Sequence, residues 1–145
     1  MRKGRPTKMT HLAREALDDL LERARTVAGN SYSPYSGFKV GAALQLSNGE
    51  IITGTNVENV SYGATICAER AAMVEAVSRF GPKIRVQAVA VVNLNDAASP
   101  PCGICRQVLA EFTEADASVA FPAGDGVRVM AFADLMPLAT EMKLK

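Results

Sequence analysis

The sequence predicts an α/β domain of three layers, α-β-α, built on a mixed five-stranded sheet with helices on both faces. Three observations predict it. Helical and strand periodicities alternate along the chain in the order α-β-β-α-β-α-β-β. The run from Val86 to Val92 is apolar almost throughout, as expected of a strand covered on both faces. One predicted helix has an inner face of small residues, Ala68, Ala71, Ala72 and Ala76, which lets its backbone approach a sheet closely.

Taken in order, residues 1–9 read as a basic, flexible tail, and residues 10–145 as a single domain. Thr10 can cap a first helix. Ala13, Ala16, Leu17, Leu20, Leu21, Ala24 and Val27 recur on one face of it, and Gly29-Asn30 end it. Residues 31–37 read as a loop. Phe38, Val40, Ala42, Leu44 and Leu46 alternate as the apolar face of a strand. Asn48-Gly49 marks a hairpin, and residues 50–56 return as the second strand. After an irregular connection, a second helix spans about residues 67–79 and stops at Gly81-Pro82. The buried strand 86–92 follows. A polar loop then leads to a third helix over about residues 103–113. Two short strands, 118–121 and 127–132, flank a turn rich in Gly and Asp, and a helical turn is expected near residues 134–136.

Composition excludes several classes. The chain has 145 residues, 48% of them apolar and 21% charged, which is a globular rather than a disordered composition. No apolar run approaches the roughly 20 residues that span a bilayer, and no signal-type stretch follows the basic start. A formal net charge of +1 lacks the basic excess of a dedicated nucleic-acid binder. The expectation is a soluble, cytoplasmic domain with no membrane and no nucleic-acid partner.

Three cysteines, Cys67, Cys102 and Cys105, are too few and too odd in number for a disulfide framework. They sit in Cys67-Ala68-Glu69-Arg70 and Pro101-Cys102-Gly103-Ile104-Cys105-Arg106-Gln107, each of which follows a loop and opens a helix. A helix N-terminus carries partial positive charge and free N–H groups, and both favour thiolate, the form that binds metal. Three protein ligands leave a tetrahedral zinc with one open position, as in catalytic sites. Glu69 can then point toward that position and move protons. Three thiolates and Zn²⁺ sum to −1, and the adjacent Arg70 can offset this by hydrogen-bonding one or two of the sulfurs. A structural site would want a fourth ligand, and His11 is the sole histidine. Cys-x-Glu followed by Pro-Cys-x-x-Cys is more specific than either half, and it matches the zinc deaminase signature.

From about Thr10 to Pro137 the sequence resembles the small cytidine deaminases whose zinc ligands are all cysteine. Four blocks carry the resemblance: Tyr35 to Ala43 (YSGFKVGAA), Gly54 to Asn59 (GTNVEN), and the two cysteine segments. The resemblance implies one zinc per subunit on Cys67, Cys102 and Cys105, with Glu69 as proton shuttle. It implies that Phe38 stacks on the pyrimidine, although spacing alone makes Phe38 a core aromatic. It implies that Asn56 and Glu58 bind ribose hydroxyls, although Asn-x-Glu by itself reads equally as a solvated loop. It further implies that the Ala68 backbone orients the base, that Tyr62 reaches a neighbouring subunit's site, and that the protein is a homotetramer with active sites at its interfaces. The implied reaction is hydrolysis of cytidine and deoxycytidine to uridine and deoxyuridine plus ammonia, in pyrimidine salvage. One position departs from the pattern: Thr140 stands where the family carries an aromatic near the C-terminus; the nearest aromatic, Phe132, precedes the motif, and Leu138 or the segment 142–144 are the candidates to replace it. Three other readings stay open: a deaminase of another aminopyrimidine nucleoside such as blasticidin S, a catalytically silent zinc scaffold, and polynucleotide editing.

Overall fold

The computed structural model describes residues 12–142. The elements run α1 (Arg14–Ala28), β1 (Val40–Leu46), β2 (Ile51–Thr55), α2 (Ala68–Phe80), β3 (Val86–Asn93), α3 (Gly103–Ala110), β4 (Thr113–Pro122), β5 (Val127–Ala131) and α4 (Phe132–Leu135), with a 3-10 turn at Tyr62–Ala64. The sheet order is β2-β1-β3-β4-β5. β3 and β4 are parallel and joined across α3, and the other neighbouring pairs are antiparallel, so the sheet is mixed.

Period-two alternation divides the core between the two faces. On one face, Leu20, Ala24 and Ala28 of α1 pack on Ala43, Ala88, Ala90 and Val92. On the other, Leu44, Val89, Val91, Val119 and Phe121 meet Ala72, Met73 and Ala76 of α2, Leu109 of α3, and Phe132 and Leu135 of α4. Two glycines let the helices come this close. A Cβ on Gly41 would lie 1.8 Å from Ala24 O of α1, and one on Gly54 would lie 2.4 Å from Ala72 N of α2.

Several boundaries differ from the sequence expectation. The Thr10 cap and the basic tail lie outside the described residues. Phe38 does not belong to β1, which begins at Val40. Ala71 is half-buried rather than on the inner face of α2. α3 ends at Ala110, three residues short of the predicted end, and β4 starts at Thr113 rather than 118. Local propensity hides that start, because Glu114-Ala115-Asp116-Ala117 is a poor strand sequence. Tertiary contacts decide it: Val86 N donates to Phe112 O at 2.8 Å, and Arg85 donates to Glu111 O and to the Glu114 carboxylate at 2.9 and 3.0 Å. Phe132 starts α4 instead of closing β5.

Candidate active site

The site forms at the sheet edge where β2 and β3 end and β1 begins. α2 and α3 both start there. Cys67 and Cys102 are the residues immediately before those helices, both in extended conformation, and neither side chain caps its own helix. Their carbonyls accept the first helical hydrogen bonds, from Ala71 N at 3.0 Å and Arg106 N at 2.9 Å. The two helix N-termini therefore bring their unbonded N–H groups and positive dipole ends beside the same sulfurs.

Sγ of Cys67 lies 3.9 Å from that of Cys102, which lies 3.4 Å from that of Cys105. All three fall within 4.8 Å of one another, and among the described residues no other metal-capable group of three or more forms. Sulfurs around a tetrahedral zinc at about 2.3 Å are roughly 3.8 Å apart, so this donor set fits the ion. His11 lies outside the described residues. Cys67 and Cys105 hold their protons unequally. Cys67 is lowered to about 5, first by a hydrogen bond from Cys105 and then by Arg70 and Cys102. Cys105 is pushed up, because Cys67 holds its proton and because it is buried. Arg70 Nη2 donates to Thr65 O at 3.0 Å and to Cys67 Sγ at 3.6 Å.

Glu69, in the first turn of α2, is 4% exposed. Burial raises its carboxyl above the ordinary range, and the negative Cys67 adds to the rise. It lines a cavity of about 310 Å³ together with Cys67, Cys102, Phe38, Asn56, Glu58 and Ala68. Val40, Val91 and Pro100 make much of the remaining wall apolar, and among the described residues no Lys or Arg lines it. A dry carboxylic acid, a thiol cluster and an aromatic wall around one small cavity suit proton transfer to a flat, neutral ligand.

The comparisons with known proteins agree with this chemistry. A family model described as the cytidine and deoxycytidylate deaminase zinc-binding region matches residues 14–121. The chain belongs to the cytidine and deoxycytidylate deaminase family. A cytidine deaminase of Halalkalibacterium halodurans is 47% identical over 100 residues, covering 69% of this chain and 74% of the relative. One from Mycobacterium tuberculosis is 42% identical over 114 residues, covering 79% and 81%. The crystal structure of a cytidine deaminase from Mycobacterium tuberculosis superposes with a TM-score of 0.76 at 39% identity, covering 87% of this chain and 98% of that one. That from Burkholderia pseudomallei gives 0.77 at 39%, covering 89% and 100%.

Not every position expected of a deaminase meets in one place. Tyr62 is 81% exposed and does not line this cavity. It borders a neighbouring one with Tyr35, Glu58 and Thr65. Asn56 is 7% exposed and largely engaged: its Oδ1 accepts from Val40 N and Ser31 Oγ, and its Nδ2 donates to Phe38 O. Glu58 accepts from the backbone N–H groups of Tyr35 and Ser36 at 3.1 Å and from Ser36 Oγ, which hold its carboxyl below the ordinary range. Phe132, the aromatic nearest to Thr140 in sequence, is a core residue. Thr140 is held by its backbone instead, through Gln107 Nε2 to Thr140 O at 3.1 Å and Thr140 N to Gln107 Oε1 at 3.2 Å. Ser36, Thr65, Ser99 and Pro100 also line the cavity and carried no chemical signal in the sequence. Arg106, present in the motif without a role, ties the cysteine loop to α4 by donating to Pro101 O and Leu135 O at 2.7 and 2.9 Å.

Proposed function

We propose that the protein hydrolyses cytidine and deoxycytidine to the uridine nucleosides and ammonia. The observation that carries this reading is the protonatable, buried Glu69 beside three converging thiols at one small apolar cavity. A zinc ion on Cys67, Cys102 and Cys105 would supply Lewis acidity at that point. Glu69 takes a proton from the attacking water and delivers it to ring N3. The water oxygen bonds to C4, Glu69 then takes the remaining proton from that oxygen and gives it to the amine as the C4–N bond breaks, so water and cytidine become uridine and ammonia. Arg70 offsets the negative charge of the thiolates. Phe38 covers the ring, and the Ala68 backbone faces the base edge. The second Nδ2 hydrogen of Asn56 and the carboxylate of Glu58 take the sugar hydroxyls.

The absence of a basic lining residue among the described residues and the ionised Glu58 favour the neutral nucleoside over its phosphate. Exposed Tyr32, Val60, Tyr62 and Ile66 on the loops beside the site support burial of this face in a homotetramer, with Tyr62 entering a neighbour's site. No helix among the described residues is long and apolar enough to cross a membrane, which accords with a cytoplasmic enzyme.

Loss of the cytidine ultraviolet band on mixing with zinc-loaded protein tests the reading. Conversion of cytidine, with cytidine 5′-monophosphate left untouched, is the expected result. No conversion of cytidine by a zinc-replete protein overturns it.

A further inference from the structure

The segment 37–39 that carries Phe38 is neither helix nor strand, and nothing in its own sequence stiffens it. Its backbone is nonetheless held from two sides. On the near side, Phe38 N donates to Ser36 Oγ at 3.0 Å, and Asn56 Nδ2 donates to Phe38 O at 2.7 Å. On the far side lies the loop between β3 and α3. Lys39 N donates to Asn95 Oδ1 at 3.1 Å, Asn95 Nδ2 donates to Gly37 O at 3.2 Å, and Leu94 N donates to Lys39 O at 3.0 Å. Asn95 thus clamps the residues on either side of Phe38 with one amide.

The clamp rests on a second asparagine. Asn93 Oδ1 accepts from Asn95 N and Ala97 N at 3.0 and 3.2 Å. Its Nδ2 donates to Ala97 O and Ser99 Oγ at 2.8 and 2.9 Å. Ser99 and Pro100 line the same cavity as Phe38, and their loop continues into Cys102. Two walls of the cavity, one carrying the aromatic ring and one leading into the cysteine loop, are joined through Asn93 and Asn95. Asn95 is exposed and touches neither the cavity nor the cysteines in this arrangement.

We infer that Asn95 is a positioning residue for substrate binding, which sets the placement of Phe38 by bridging Gly37 O and Lys39 N–H from the opposite wall. This rests on the reading of Phe38 as the residue that covers the base. Two side-chain hydrogen bonds are at stake, each worth a few-fold in an equilibrium, so Asn95→Ala raises KM for cytidine about tenfold. The kcat value stays within about twofold, because proton transfer at Glu69 does not pass through this loop.

Steady-state kinetics of wild type, Asn95→Ala, Phe38→Leu and the double variant test the inference, with zinc content and thermal stability measured on each. The expected result is a raised KM in each single variant, a double variant no worse than Phe38→Leu alone, and one zinc per chain throughout. Additive effects, an unchanged KM in Asn95→Ala, or a loss confined to kcat or zinc overturns the inference while cytidine turnover by wild type leaves the proposed function standing. If wild type does not turn over cytidine, that reading has failed by itself. Amide exchange then decides the clamp: Asn95→Ala speeds exchange at Lys39 but not at Val40, whose acceptor is Asn56. Unchanged protection at Lys39 overturns it.

Discussion

Gly54 of β2 packs directly against Ala72 of α2: a Cβ on the glycine would fall 2.4 Å from the Ala72 amide nitrogen and 2.6 Å from Ala68 O. Both obstacles are backbone, so no side-chain rotation relieves them. The contact sets the height of α2 above the sheet, and Cys67 and Glu69 ride on the start of that helix. Gly54→Ala is therefore expected to lower stability by about 1–3 kcal/mol through overpacking. It should also weaken zinc retention, because Cys67 moves away from Cys102 and Cys105. Thermal unfolding and metal analysis of the purified variant check both effects, and a variant with wild-type stability contradicts the packing.

Glu69→Gln keeps the shape of the side chain and removes the carboxyl proposed to shuttle protons. Turnover of cytidine is expected to fall by about 10²–10⁴-fold, the range that a positioned general acid–base supplies. Zinc content should be unchanged, since the glutamate is not among the converging donors. A variant that retains near wild-type kcat would assign proton transfer to another group.

Arg70 joins the Cys67 sulfur to the Thr65 carbonyl. Arg70→Gln removes the positive charge proposed to offset the thiolates. Zinc affinity is expected to drop about 10–100-fold, as is usual when a partner of a metal ligand is lost. Competition against a chromophoric chelator measures this directly. Equal affinities would show that the helix N-termini alone compensate the charge.

Glu58 is expected to give the loop of Tyr35 and Ser36 a pH dependence. Its carboxyl is held below the ordinary value of 4.5, chiefly by the Ser36 hydroxyl and then by the Ser36 and Tyr35 amides. A carboxyl depressed in the folded state stabilises that state above the ordinary value, and the contribution is lost as pH falls through the lowered one. Protection of the Tyr35 and Ser36 amides should thus be steady at neutral pH and decline as Glu58 protonates in acid. Glu58→Gln, which accepts the same amide bonds without titrating, should flatten that decline. Hydrogen exchange followed by NMR reads both, and an acid loss of protection that persists in the variant would place its origin elsewhere.

The three converging cysteines and the glutamate beside them were legible in the sequence because their signals are local. Cys67 and Cys102 precede helices whose starts are marked by loops, and Cys105 follows one turn later. The layered fold was legible for a similar reason, since burial on a helix or strand repeats with a fixed period. Long-range hydrogen bonds have no period. The strand order β2-β1-β3-β4-β5, the early start of β4 at Thr113, and the exclusion of Phe38 from β1 follow from contacts between distant segments. So do the grip of Asn95 on residues 37–39 and of Gln107 on Thr140. Sequence alone determined which candidate donor and acid–base groups the chain carries and that they open helices, because residue type and local spacing specify charge and helix ends. The tertiary structure alone decided where the cavity walls stand, because loop placement is set by single asparagine, glutamine and arginine side chains reaching across the chain.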